Sequence, residues 1–208
     1  MRLKPEKYGK TLHLSISIRC NYATDSNFFV DASHFVHGAF LCCVWCFKRL
    51  FLKSPSGRKR WNVLGAVDFV TKQLTTVTNT TYITSTTVCE LLRVLAAQHP
   101  DPDGLCPITL VLDNARYQKC KLVQALAEEL RIELLYLPAY SPNLNLIERL
   151  WKYVKKRCLN GKYYETFAEF QAGIQACLNR INTDYHDDME TLLTRKFQLF
   201  DKQTFLAA

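Results

Sequence analysis

The stretch from Ile108 to Lys156 constrains the fold more than any other part of the chain. Its first five residues, Ile-Thr-Leu-Val-Leu, form a short apolar run that is typical of a buried strand and that ends at Asp113. Glu148 follows after thirty-four intervening residues. Ser141 as N-cap and Pro142 in the first turn predict that a helix begins before it. One carboxylate is therefore expected at a strand end, and another about two turns into a helix.

Strand and helix patterns alternate along the rest of the chain. Strands are predicted at 28–31, 62–70, 73–80, 108–112 and 132–137, with one or two more in 39–52, and helices at 85–98, 120–130, 141–159, 166–181 and 188–200. Thr166 and Glu169 form a capping box at the start of the fourth helix. Residues 32–38 are predicted to be a loop that carries two histidines. Interleaved strands and helices indicate an α/β domain in which helices pack on a central sheet.

A third acid, Asp31, ends a similar apolar run, Phe28–Val30. Acids that follow neighbouring strands point into one crevice at the edge of a sheet. Glu148 borders the apolar stripe of its helix, so it can reach the same crevice. That stripe consists of Ile147, Leu150, Trp151, Val154 and Cys158. The three acids are therefore expected to meet.

Three neighbouring carboxylates repel one another, by about 4 kcal/mol for each pair about 4 Å apart at an effective dielectric near 20. Such a site is protonated or holds cations, and oxygen ligands select hard ions such as Mg²⁺ or Mn²⁺. Two such ions can hold the attacking and leaving oxygens of a phosphodiester. The alternative is structural: Asp113 as a turn residue, and Glu148 paired with Lys152 one helical turn away.

The net charge of +8 and the pI of about 9.0 suit a polyanionic partner, nucleic acid first and an anionic membrane surface second. Two basic groups are candidates for phosphate contacts. The first is the turn with Arg58, Lys59 and Arg60, and the second is the helix segment with Lys152, Lys155 and Lys156. The alternatives are a solvated turn and a solvated helix face.

The nine cysteines are scattered, and the N-terminus has no signal-peptide pattern. The longest apolar run, 39–47, is about half the length of a membrane span. These features predict a cytosolic protein with reduced thiols and no membrane association. His34, His37, Cys43 and Cys46 imitate a zinc site, but cysteines alternating with aromatic residues favour a buried core.

Two segments, Leu112–Tyr117 and Leu135–Glu148, resemble the catalytic domain of insertion-sequence transposases, the bacterial branch of the mariner superfamily (insertion-sequence 630 type). The resemblance extends over about residues 28–200. It identifies Asp31, Asp113 and Glu148 as the catalytic, metal-binding acids of a DDE endonuclease, with Asn114 and Asn145 supporting them.

The resemblance implies a ribonuclease-H-like fold, two Mg²⁺ ions with Mn²⁺ as an alternative, and strand cleavage and transfer at transposon ends. The implied partner is double-stranded DNA, both at the transposon ends and at the target. A homodimer is a candidate assembly. The implied location is the prokaryotic cytosol, in association with the nucleoid.

Two domain ranges follow from the resemblance: an ill-defined segment, 1–27, and the catalytic domain, 28–208. Members of this family carry an N-terminal helix-turn-helix region that reads the transposon ends, and residues 1–27 do not contain its pattern. Gln118 also stands where many relatives have His. Two alternative functions stay open: an inactive remnant that only binds DNA, and a ribonuclease-H-like hydrolase of RNA–DNA hybrids.

Overall fold

A mixed five-stranded sheet forms the centre of the protein, whose computed structural model describes residues 26–38, 47–48, 59–100, 107–138 and 144–194. The spatial order is β3-β2-β1-β4-β5. The strands are β1 (Ser26–Val36), β2 (Arg60–Asp68), β3 (Leu74–Asn79), β4 (Ile108–Leu112) and β5 (Ile132–Tyr136). The β1–β2 and β2–β3 pairs are antiparallel, whereas β1–β4 and β4–β5 are parallel. The predicted α/β class is therefore confirmed.

Helices cover both faces of this sheet. They are α1 (Ser85–Gln98), α2 (Lys121–Glu129), α3 (Ile147–Cys158), α4 (Phe167–Ile181) and α5 (His186–Leu192). The residues of β1 alternate between two cores: Phe28 packs with α1 and α2, whereas Phe29 packs with α3, α4 and α5. Within the described ranges, no helix has both the length and the apolar character that a membrane crossing requires.

Local sequence signals predicted several element boundaries correctly. β4 spans the predicted 108–112, and all five of its residues are buried because both faces of this central parallel strand are covered. The capping box forms as predicted: Glu169 N donates to Thr166 Oγ1, and Thr166 N donates to Glu169 Oε2, both at 3.2 Å. The helix that it starts, α4, ends at Ile181.

The last helix was predicted at 188–200 but spans His186–Leu192. Two further predicted boundaries, both near the acids, are wrong, and contacts with distant residues explain the difference. Residues 32–36 are not a loop, because β1 continues beside β2 until Val36 pairs with Arg60. Helix α3 begins only at Ile147, so Glu148 lies in its first turn. Ser141 and Pro142 lie outside the described residues, as does most of the predicted strand region 39–52.

Candidate active site

The register of the parallel β1–β4 pair brings two of the three acids together. Phe29 lies opposite Val111. Two residues further along each strand are Asp31, within β1, and Asp113, directly after β4. Phe29 and Val111 belong to the core on the α3 side of the sheet. Because alternate residues of a strand share a face, both carboxylates project toward α3.

Helix α3 supplies the third acid from above the same face. Its buried residues are the predicted stripe: Ile147, Leu150, Trp151, Val154 and Cys158. This stripe packs onto β1 and β2. Glu148 is half-buried beside the stripe, in the first helical turn. We call Asp31, Asp113 and Glu148 the acid triad.

Asn145 ties the start of α3 to the strand that carries Asp31. Its side-chain Nδ2 donates to the Val30 carbonyl oxygen at 3.1 Å, and the residue is only 2% exposed. Its own carbonyl accepts from Glu148 N at 3.2 Å. The side chain of Asn145 also lies close enough to the carboxylate of Asp113 to lower its pKa. The side chain and the backbone of this one residue therefore link the surroundings of all three acids.

Burial disfavours the ionised forms of Asp31 and Asp113, and for Asp31 the neighbouring acids add to this effect. The pKa of Asp31 rises from its ordinary value of 3.8 to about 7. Burial is the largest cause, the backbone N–H of Ala32 opposes it, and repulsion from Asp113 and Glu148 raises the pKa further. Burial also raises the pKa of Asp113, and the hydrogen bond from Asn145 opposes that rise. Asp113 and Glu148 thus lie close enough to Asp31 to disfavour its ionised form.

The donor chemistry of the acid triad fits hard divalent cations, since all three groups offer carboxylate oxygens. The raised pKa of Asp31 is what an incompletely compensated cation site produces. However, no three His, Cys, Asp or Glu side chains in the described part of the chain lie close enough together to hold one metal ion. The acids therefore converge without forming a closed ligand cage.

Tyr117 packs against the core on the α1 and α2 side of the sheet, yet it lies within electrostatic range of Asp31 and Asp113. Its phenol is partly buried, and its pKa is raised first by burial and then by the charges of Asp31 and Asp113. The side-chain amide of Asn114, the residue after Asp113, donates to the Leu137 carbonyl. It stabilises the loop that follows β4 and its contact with the chain after β5.

The predicted phosphate-binding residues occupy two places near this face. Lys152 and Lys156 are exposed on α3, whereas Lys155 is half-buried, with its Nζ 5.8 Å from the ring centre of Phe35. Lys59 and Arg60 are exposed beside the start of β2, and Arg58 lies outside the described residues. Because Phe35 adjoins the Val36–Arg60 pair, Lys155 lies at the same end of β1 as the basic turn.

The two histidines of the zinc-like pattern have separate partners. His34 Nδ1 lies 2.7 Å from Asn62 Oδ1, and His37 Nε2 lies 3.0 Å from the Tyr164 carbonyl oxygen. His37 is buried against Phe167 and Phe170, whereas His34 is exposed. Both histidines are thus engaged in packing and hydrogen bonding. Cys43 and Cys46 lie outside the described residues.

Similar folds occur in solved transposase and integrase structures. The catalytic domain of Mos1 transposase with raltegravir and Mg has a TM-score of 0.58 at 12% identity, covering 97% of this chain and 100% of that chain. The Mos1 mariner paired-end complex with Mn gives 0.59 at 11% identity, covering 97% and 65%. A simian T-cell lymphotropic virus intasome gives 0.53 at 16% identity, covering 76% and 49%. The predicted ribonuclease-H-like fold is therefore confirmed.

This chain spans 65% of the length of the Mos1 chain in the paired-end complex. Comparison with curated proteins gave no significant match. The sequence profile of the DDE superfamily endonuclease family matches residues 28–171, which include all three members of the acid triad. The chain therefore belongs to the DDE superfamily of endonucleases.

Proposed function

We propose that this chain is the catalytic domain of a transposase of the insertion-sequence 630 type, which cleaves and transfers DNA strands at transposon ends. The observation that carries the proposal is the convergence of Asp31, Asp113 and Glu148 on one face of the sheet, where the pKa of Asp31 is raised to about 7. Half-buried carboxylates that repel one another are costly to keep without a function, and a cation would relieve the repulsion.

The acid triad would hold two Mg²⁺ ions, with Mn²⁺ as an alternative. Such ions, when bound, lower the pKa of a water nucleophile and neutralise charge on the reacting phosphate. The protein's own contribution is to supply negative oxygens from three separate elements. Asn145 keeps Asp113 and the start of α3 in place beside β1 while these oxygens are engaged.

The proposed reaction has two displacements at phosphorus. Water first hydrolyses a phosphodiester at the transposon end, which frees a 3′-hydroxyl. That hydroxyl then attacks a phosphodiester of the target DNA and displaces one target 3′-oxygen as the new bond forms. No side chain becomes covalently attached to DNA in either step, so the reaction requires no Ser-His-Asp arrangement.

Cleavage assays on the intact chain test this function. Supercoiled plasmid and a duplex containing the inverted repeats that flank the gene would be incubated with Mg²⁺, Mn²⁺ or EDTA. We expect nicking with either metal, none with EDTA, and joining of the repeat-containing strand to the plasmid. DNA binding without cleavage would indicate an inactive remnant. Faster cleavage of an RNA–DNA hybrid than of the duplex would indicate a ribonuclease-H-like hydrolase.

DNA binding is expected to depend on the exposed lysines of α3. The double substitution Lys152→Glu with Lys156→Glu should weaken duplex binding at least about tenfold near 0.1 M salt. The slope of log affinity against log salt should become shallower by about one for each lost phosphate contact. Fluorescence anisotropy at several salt concentrations measures both quantities.

The matched control for this variant reverses two charges on the opposite face of the sheet. Arg93→Glu with Lys121→Glu changes exposed cations of α1 and α2 by the same total charge. We expect its salt slope to stay at the wild-type value. Equal losses of DNA affinity in both double variants would mean that the net charge of the protein, and not the position of the lysines on α3, determines binding.

A further inference from the structure

Gly65 on β2 lies directly opposite Asp31 of the acid triad. The antiparallel register pairs the two residues. A Cβ atom at Gly65 would lie 2.7 Å from Cη2 and 2.8 Å from Cζ2 of Trp151, and 3.2 Å from Cδ1 of Ile147. Carbon atoms in good contact are about 3.5–4.0 Å apart. The indole of α3 therefore occupies the space that any side chain at position 65 would need.

Trp151 belongs to α3, the helix that carries Glu148, and its indole packs between this helix and the sheet. It is 4% exposed and makes an edge contact with Phe35, with ring centres 6.4 Å apart. Its Nε1–H is buried and finds no hydrogen-bond acceptor of ordinary geometry within the described ranges. The same group faces the carboxylate of Asp31 closely enough to lower its pKa. A buried donor without a full partner thus adjoins a proposed cation ligand.

We propose that Trp151, lying on Gly65, is a positioning residue of the acid triad. The bare backbone of β2 lets α3 approach β1, so that Glu148 faces Asp31. The indole Nε1–H then supports the Asp31 carboxylate when that group ligates a cation. This inference rests on the proposed function, since it concerns the cation that the acid triad would hold.

The size of the expected effect follows from the contact distances. To restore ordinary contact, Gly65→Ala must displace the indole, and α3 with it, by about 1 Å. Displacements of that size at a reactive site cost about a hundredfold in rate. Substitutions of groups that orient metal ligands typically cost 10–100-fold in metal affinity.

The test measures Mn²⁺ affinity of the DNA-free protein from the loss of the free-ion electron paramagnetic resonance signal. We expect Gly65→Ala and Trp151→Phe each to weaken binding about tenfold or more. Once the larger ring is gone, the alanine methyl has room. In the Trp151→Phe background, Gly65→Ala should therefore have little further effect, giving a strong interaction in the double-mutant cycle.

Gly173→Ala is the matched control. Its Cβ would lie 2.7 Å from Cε1 and 2.7 Å from the hydroxyl oxygen of Tyr164, and neither residue belongs to the acid triad or adjoins it in sequence. Gly173→Ala and Gly65→Ala should both lower the unfolding midpoint in EDTA, but Gly173→Ala should leave Mn²⁺ affinity unchanged. If Gly65→Ala does not fold, the Mn²⁺ affinity of Trp151→Phe alone tests the inference. A wild-type Mn²⁺ affinity in Trp151→Phe would overturn it.

Equal effects of Gly65→Ala in both backgrounds would likewise overturn the inference while leaving the proposed function intact. An absence of Mn²⁺ binding by the wild-type chain would overturn both.

Discussion

Asp31→Asn is expected to stabilise the cation-free protein by up to about 4 kcal/mol at pH 8, while removing its response to Mg²⁺. The pKa of Asp31 is 3.8 in an ordinary environment and about 7 in the folded chain. Each pKa unit corresponds to about 1.4 kcal/mol of difference between the protonated and ionised forms. Asparagine keeps the shape and one acceptor oxygen but carries no charge, so it avoids this penalty.

The direction of the Asp31 pKa shift determines how the stabilisation by Asp31→Asn varies with pH. Because folding raises the pKa, the folded state binds the proton more tightly than the unfolded state. Below about pH 4 the carboxyl is protonated in both states, and the substitution should change stability little. The penalty for the wild type grows between pH 3.8 and about 7 and stays constant above that range. Near pH 5 the gain from Asp31→Asn should be only about 1.5 kcal/mol.

Urea unfolding in EDTA at pH 5 and pH 8 measures this difference, and repetition with Mg²⁺ at pH 8 measures the response to cation. Mg²⁺ should raise the stability of the wild type and leave that of Asp31→Asn unchanged. Asp187→Asn, an exposed acid in the first turn of α5, serves as the control and should shift stability by less than about 1 kcal/mol. Destabilisation by Asp31→Asn at pH 8 would contradict the assignment of Asp31 as a buried, repelled carboxylate.

Glu148→Gln is expected to reduce Mg²⁺-dependent DNA cleavage by at least about 10³-fold without unfolding the protein. Glutamine retains one oxygen at this position but no negative charge, so cation binding by the acid triad loses one of its three anionic groups. The substitution also removes one source of repulsion from Asp31, so the fold should not lose stability. Single-turnover cleavage of a labelled transposon-end duplex measures the rate.

Glu90→Gln is the matched control, because Glu90 is an exposed glutamate of α1 on the opposite face of the sheet. Its cleavage rate should equal that of the wild type. If Glu148→Gln kept more than about a tenth of the wild-type rate, Glu148 would not be a cation ligand in the rate-limiting step. Thermal unfolding of both variants in EDTA distinguishes loss of chemistry from loss of structure.

Much of the candidate site was predictable from local pattern. The run before Asp113 predicted a buried strand, and the apolar stripe of α3 predicted which helix face packs down. Together with the spacing between Asp113 and Glu148, these features predicted that the acids meet on one side of a sheet. The start of α3 was not predictable in this way. Asparagine is a common N-cap residue, but the side-chain amide of Asn145 instead donates to the Val30 carbonyl oxygen.

The sequence by itself determined the order of the elements and the α/β class, and it predicted which residues form the acid triad, because apolar periodicity, capping and motif spacing are local properties of the chain. Tertiary structure alone decided how far β1 extends, where α3 begins, how strongly Asp31 resists ionisation and that a side chain at position 65 would overlap Trp151. Each of these depends on atoms brought together from remote parts of the chain: β2 beside β1, Asn145 against Val30, and Trp151 on Gly65. Burial and electrostatic repulsion act through those spatial contacts, which no local pattern contains.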